Sequence, residues 1–136
     1  MGVSIMKEVR IKVLYKDLDK KEQDKIKNKL NNIRLGRIYN HCWERMKQKN
    51  ISVRECYEVL KMYDIIEVNF TYKKQNDMRV LLRARAEDKN GYCTCLVMNI
   101  FTGDVCTVWK NKATDTHKTL NKYNYLNVDR DLVLAI

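Results

Sequence analysis

Apolar residues recur along this chain with two different periods. Val9, Ile11, Val13 and Tyr15 alternate with Arg10 and Lys12, which predicts a strand at a sheet edge. The period then lengthens. Asp19-Lys20-Lys21-Glu22 has the spacing of a capping box, with Asp in the place of Ser or Thr, and Ile26, Leu30 and Ile33 follow at helical intervals. Gly36 shifts the phase, after which Leu35, Ile38, Tyr39, Cys42, Trp43 and Met46 form a wider apolar face that ends at Lys49-Asn50. The spacing fits one long bent helix or two consecutive ones. Ser52-Val53-Arg54-Glu55 is a second capping box, and its short helix turns Cys56, Val59, Leu60 and Tyr63 inward.

Past Tyr63 the period falls to two. Ile66, Val68, Phe70 and Tyr72 alternate with Glu67, Asn69 and Thr71, and Gln75-Asn76-Asp77 turns the chain. Met78, Val80, Leu82, Ala84 and Ala86 alternate with Arg79, Leu81, Arg83 and Arg85. Asp88-Lys89-Asn90-Gly91 reads as a hairpin turn. A strand from Tyr92 to Phe101, a turn at Thr102-Gly103-Asp104 and a strand from Val105 to Lys110 complete the pattern. Closely spaced strands with tight turns predict an antiparallel meander. Each strand has an apolar face, and the helices are what can cover it.

The expected fold is therefore α+β, with N-terminal helices packed on one face of a four-stranded antiparallel β-meander, or five-stranded if a terminal strand joins. One domain spans 1–136: an edge strand or arm over 1–16, a helical half over 17–63, the meander over 64–111, and a loop and C-terminal tail over 112–136. Asp115 to Tyr125 fits a loop or a short helix. Leu132 to Ile136 is an apolar tail able to add a strand to the sheet or to a second subunit, which would make a homodimer.

Composition narrows the class. With 136 residues, 45% hydrophobic, no proline and four glycines, the chain has enough apolar content for a core and no Pro/Gly linker. It contains no run of apolar residues that would cross a membrane as a helix, and its N-terminus lacks the unbroken apolar stretch of a signal peptide. An odd count of five cysteines fits reduced thiols in a cytosol better than a disulfide framework.

The net charge of +10 favours an acidic partner, either a nucleic acid or an acidic protein surface. A lysine- and asparagine-rich composition, with 18 Lys and 13 Asn, would also arise in an AT-rich genome without selection for binding. The charge is uneven. Residues 1–50 carry 14 Lys+Arg against 6 Asp+Glu, whereas residues 51–136 carry 13 against 11. On a continuous helix, Arg34, Arg37, His41, Arg45 and Gln48 would share one stripe beside the apolar face. Guanidinium groups in such a row suit phosphate oxygens, although a solvated helix face would look the same. Arg79, Arg83 and Arg85 form a second set, opposite the core-facing side of their strand. They would lie in solvent, pair with Glu67, or floor an anion-binding groove.

The densest polar cluster runs through Thr107, Lys110, Asn111, Asp115, Thr116, His117, Lys118, Thr119, Tyr123 and Tyr125. Metal-independent RNA cleavage needs a base for the 2′-hydroxyl, an acid for the leaving oxygen and cations for the charge on phosphorus. His117 has a suitable unperturbed pKa, His41 is the second histidine, Asp115 could orient His117, and Arg83, Arg85 and Lys118 could hold phosphate. Asp115 also fits a helix N-cap and His117 a surface histidine. Cys93, Cys95, Cys106 and His117 are acceptable zinc ligands, but strand cysteines are more often small buried hydrophobes and there is no Cys-x-x-Cys pair, so no metal and no cofactor is expected.

His41-Cys42-Trp43-Glu44-Arg45-Met46, Ser52-Val53-Arg54-Glu55, Arg79-Val80-Leu81-Leu82-Arg83 and Thr107-Val108-Trp109 together resemble the barnase–EndoU–colicin–RelE superfamily of small ribonucleases, over about residues 37 to 125. The Asp115-to-Tyr123 extension resembles tails of small phage and prophage proteins. The resemblance implies N-terminal helices on a four-stranded antiparallel sheet and metal-independent RNA cleavage on its open face, with His41, Arg45, Arg83 and Thr107 at matching positions. The superfamily has no invariant catalytic set, and some members only bind. Two functions follow as expectations. One is a metal-independent ribonuclease-like or RNA-binding protein of bacterial or phage origin. The other is a non-catalytic phage-encoded inhibitor of a host protein or nucleoprotein complex.

Overall fold

The computed structural model describes residues 10–71 and 76–115. Five strands form one antiparallel sheet in the order β1-β2-β3-β4-β5: β1 (Arg10–Leu14), β2 (Tyr63–Thr71), β3 (Met78–Ala84), β4 (Tyr92–Asn99) and β5 (Val105–Lys112). Between β1 and β2 come three helices, α1 (Lys20–Leu30), α2 (Asn40–Gln48) and α3 (Val53–Lys61). The chain thus leaves β1, builds a helical layer, and returns to lay β2 against β1. This is the α+β architecture expected, with β1 as the fifth strand and at an edge. Among the described residues no helix is long and apolar enough to cross a membrane.

The core lies between the helices and one face of the sheet. Val13, Val68, Val80 and Met98 occupy one cross-strand row of that face, and Leu82, Leu96 and Val108 occupy the next. Ile26 and Leu30 of α1, Cys42 and Met46 of α2, and Cys56 and Val59 of α3 are buried in the same core. The two cap signals are real: the Asp19 carboxylate accepts from the Glu22 amide at 2.9 Å, and Ser52 and Glu55 bond reciprocally. A cap of this kind typically contributes about 1 kcal/mol.

Two expectations need correction. The stretch from Ile33 to Tyr39 is not helical, because Gly36 to Tyr39 are tied to the β4–β5 hairpin. The Val105 amide donates to Arg37 O at 2.8 Å, the Tyr39 amide donates to Val105 O at 3.2 Å, and Ile38 forms a parallel bridge with Val105. The helical stripe through Arg34, Arg37, His41, Arg45 and Gln48 therefore does not exist as a stripe. The second correction is at β2, which begins at Tyr63 rather than continuing α3, and has a bulge between Ile65 and Glu67. Tyr63 and Ile65 face Ala84 and Leu82, Val68 faces Val80, and Ile66 is the extra residue. The inward series is 63, 65, 68, 70, where a strict alternation places Ile66.

Lys110 joins the layers. Its ammonium reaches Glu55 Oε1 at 2.6 Å and Asp88 Oδ2 at 3.1 Å. The other Glu55 oxygen accepts from the Ser52 amide at 2.8 Å, so one carboxylate caps α3 and docks it on β5. Asp88 Oδ1 accepts from the amides of Asn90 and Tyr92, which fixes the β3–β4 turn. Burial alone would raise the Glu55 pKa, but the Lys110 and Ser52 bonds outweigh it and hold the carboxyl below its ordinary value. The Tyr92 amide, with help from Lys110 and Asn90, holds Asp88 below its own. Burial would lower the Lys110 pKa, and its two carboxylate partners raise it instead.

Two predictions follow from this architecture. Gly103 has φ +76°, and an added Cβ would stand 2.0 Å from Arg34 O, whereas Gly91 has φ +82° with nothing within 4 Å. Gly91→Ala should then cost only the backbone term, about 1–2 kcal/mol, and Gly103→Ala should cost clearly more, about 3 kcal/mol or above; urea denaturation of both variants checks the order. The second concerns pH. Glu55 and Asp88 have depressed pKa values, so their contribution is complete above the ordinary values of 4.5 and 3.8 and is lost as pH falls through the lower folded values. Lys110 is raised, so its contribution persists below 10.5 and is lost as pH rises through its higher folded value. Lys110→Met should flatten both limbs of the stability-against-pH curve measured by thermal unfolding.

Candidate nucleic-acid interface

The face of the sheet away from the helices is built by the alternate residues of the same strands. Because side chains alternate, fixing Val13, Val68, Val80 and Met98 inward sends Lys12, Asn69, Arg79 and Asn99 outward, and these four stand in one register row across β1 to β4. The next row outward is Leu14, Glu67, Leu81, Val97 and Thr107. After it come Arg83, Cys95 and Trp109. The face therefore has a polar, cationic row, a partly apolar middle and a second arginine beyond it. Leu81 separates Arg79 from Arg83 along β3.

Several of these charges are matched. Arg10 donates to Asn69 Oδ1 through Nε at 3.2 Å and Nη2 at 3.0 Å, with Asp77 at 3.9 Å. Lys12 lies 3.8 Å from Glu67, so Glu67 serves β1 and not the arginines of β3. Arg85, just past β3, pairs with Asp64 at 2.8 Å on the exposed surface. Arg79 is different. It is half-buried, and no carboxylate among the described residues lies within ion-pair distance of it. Its charge instead acts on the Cys106 thiol, the extra residue where β5 bulges, which the Tyr39 hydroxyl also reaches. Burial still dominates there and raises the thiol pKa, against the opposing pull of Arg79 and Arg10.

Arg83 is buried on the same face, and its Nη2 donates to Lys112 O at 3.1 Å and Ala113 O at 3.3 Å. It stands beside the Cys95 thiol, whose pKa is raised to about 12, chiefly by burial, against the opposing pull of the guanidinium and with lesser contributions from Cys93 and Asp115. Arg83, Asp115 and Thr107 are therefore on one side of the sheet. His41 is not with them. It is exposed on α2, whose Cys42 and Met46 face the core, so the sheet stands between His41 and Arg83. Arg45 is exposed on the same helix, while Arg34 and Arg37 are exposed in the extended segment that precedes it. His117 and Lys118 lie outside the described residues, as does the apolar tail.

Cys93 and Cys95 face outward and are buried, and Cys106 is half-buried. Among the described residues no group of three His, Cys, Asp or Glu side chains is arranged to hold a metal ion.

Reasoning from sequence missed Arg10, Lys12, Asn69, Asn99 and Tyr39 as neighbours of Arg79. The signal was present in the alternation of β1, which already placed Arg10 and Lys12 opposite the core. What was absent was the return of β2 to β1, which sets Lys12 in line with Arg79 through Asn69. The chain matches no protein-family model, no curated protein and no solved structure, so the resemblance to the small-ribonuclease superfamily stands on its motifs alone.

Proposed function

We propose that this protein binds RNA across the outer face of its sheet, with the phosphate backbone along the row that contains Lys12 and Arg79. The observation that carries this reading is Arg79, a half-buried guanidinium on the sheet face away from the helices, with no ion-pair partner among the described residues. Asn69 and Asn99 flank it with amide donors and acceptors, and Tyr39 and Trp109 supply aromatic surface at the β5 side. A sheet that presents cations and aromatics suits a single strand whose bases are splayed apart better than a duplex groove, which takes a helix or a narrow ribbon. The net charge of +10 would add long-range attraction for any polyanion.

Ribonuclease chemistry is a further step on the same reading. It would draw on Arg83, Thr107 and Asp115, with His117 as the acid or base. His41 stands on the helical layer and has no part in that set.

A second reading has its own observation. The helical layer exposes Trp43, Tyr57 and Met62, and Arg45 accompanies Trp43 on α2. Exposed Trp, Tyr and Arg are the residue types that carry protein–protein contacts, as a non-catalytic inhibitor of an acidic host protein would require.

The two readings separate in one set of measurements. Affinity for a single-stranded RNA should fall with salt, and Arg79→Gln or Lys12→Gln should each flatten the slope of log K against log salt by about 0.7, the value for one lost phosphate contact. Trp43→Ala should leave that slope unchanged. If both outer-face variants bind RNA like the parent, the outer face is not the interface. Cleavage of RNA in the presence of a chelator, abolished by folded His117→Ala, would add catalysis to binding. Intact RNA together with a host-protein complex lost in Trp43→Ala would favour the inhibitor.

A further inference from the structure

Strands β3 and β4 are buried on both faces. Burial is unbroken from Val80 to Ala84 on β3 and from Cys93 to Leu96 on β4. A strand with one wet face alternates between buried and exposed positions, and an unbroken run marks cover on both sides. Val80, Leu82 and Leu96 belong to the core beneath the helices, which accounts for one face. Leu81, Cys93 and Cys95 point the other way, are 4%, 5% and 0% exposed, and stand outside that core. The three helices bury their apolar residues on the opposite side, so they do not provide this cover. Arg83 supplies a part of it. From β3 its Nη2 reaches the carbonyls of Lys112 and Ala113, beyond β4, so its stem passes Cys95. Leu81 lies two residues back along β3 and needs apolar cover of its own.

The path of the chain points to the rest of the cover. Past β5 the Asp115 amide donates to Lys112 O at 2.9 Å, and the outward-facing Asn111 donates through Nδ2 to Asp115 O at 3.5 Å. Residues 116–136 therefore set out from the outer side, next to Cys93, which pairs with Asn111. Residues 1–9 instead enter at Arg10, at the far end of the face beyond the Lys12–Arg79 row. Even wound as a helix, at about 1.5 Å per residue, the stretch 116–136 is longer than the roughly 20 Å across five strands. It carries Leu126, Val128, Leu132, Leu134 and Ile136 on alternate positions, the pattern of one apolar side. Asp129 and Asp131 bring negative charge to a face whose cations include Arg79 and Arg83.

We propose that the outer-face patch of Leu81, Cys93 and Cys95 is the docking surface for this chain's own residues 116–136, whose apolar side chains close a second, smaller core on the side of the sheet away from the helices. The sheet is then the middle one of three layers. The Lys12–Arg79 row lies toward the other end of the strands and outside the patch, so the proposal holds or fails independently of the RNA-binding reading.

The test uses the full chain, without RNA, labelled at leucine and valine methyls. Nuclear Overhauser contacts from the Leu81 methyls to leucine or valine methyls of residues 116–136 are the expected result. A mixture of differently labelled chains separates contacts within one chain from contacts between two. Absence of any contact from Leu81 to that segment overturns the proposal, and so do contacts found only between chains, which would make a second copy the occupant. A second measurement reads the thiols. In the double variant Leu132→Ser, Leu134→Ser, native-state alkylation of Cys93 and Cys95 should be at least about tenfold faster than in the parent, while Cys42 and Cys56, buried beneath the helices, keep the parent's rate. Equal rates at Cys95 in variant and parent overturn the proposal. If all four thiols accelerate together the variant has unfolded, and the methyl contacts of the parent decide.

Discussion

The close approach of Gly36 to Gly103 sets the rest of the arrangement. The Gly36 amide donates to Gly103 O at 2.9 Å, and neither glycine has space for a side chain: a Cβ on Gly36 would stand 2.6 Å from Asp104 Oδ1, and one on Gly103 2.0 Å from Arg34 O. Backbone therefore packs on backbone where the segment after α1 crosses the β4–β5 turn. Asp104 strengthens the junction by accepting from the Arg37 amide at 2.9 Å. From that point the chain is committed to run beside β5, which buries Ile38 and starts α2 where Cys42 and Met46 meet the core. With α2 placed, α3 follows through a tight connection at Asn50, whose φ of +56° lets the chain reverse and bury Ile51. Glu55 then meets Lys110, and the helical layer is closed onto the sheet.

The same sheet treats charge differently on its two faces. On the inner side Lys110 is matched by two carboxylates, because α3 and the β3–β4 turn bring them within bonding distance. On the outer side Arg10, Lys12 and Arg85 have partners, and Arg79 lacks a carboxylate partner at ion-pair distance among the described residues. Exposed pairs such as Arg85–Asp64 contribute little to stability, typically 0–1 kcal/mol. A guanidinium that is half-buried or more gains little screening from water and lacks that local neutralisation. Leu81, two residues along the strand, removes solvent without supplying charge. Folding stability alone would favour an apolar or neutral residue in place of Arg79, and this is why it is the place to look for a ligand.

How much of this was legible in the sequence depends on the range of the interaction. Period-two alternation placed β3, β4 and β5 within a residue or two, because each residue's facing is a local property of a strand. Both caps were legible for the same reason. The bulge at Ile66 was not, since an extra residue is decided by what β1 and β3 require on either side of β2. The arginine stripe failed at Gly36. Its apolar spacing was compatible with a helix, but the segment finds its hydrogen bonds on a hairpin about 67 positions further on, a contact no local pattern contains. The outer-face arginines were legible as a set through alternation, while their sorting into matched Arg85 and unmatched Arg79 required the register with β2.

The distribution of charge then has a mechanical reading. The first 50 residues hold most of the basic excess, chiefly as lysines on and near exposed α1, while the outer face holds arginines that are few, partly buried and fixed by strand register. Mobile lysine ammoniums, strongly hydrated, generate a field that draws a polyanion in, and that field weakens with salt. Ordered guanidiniums provide direction at contact. Arg37 and Tyr39 are exposed in the extended segment at the β5 edge, so on the proposed RNA-binding reading a chain attracted by the helical layer would pass them to reach Arg79. Attraction and capture would thus reside on different layers of one fold, joined at the segment that the two glycines hold in place.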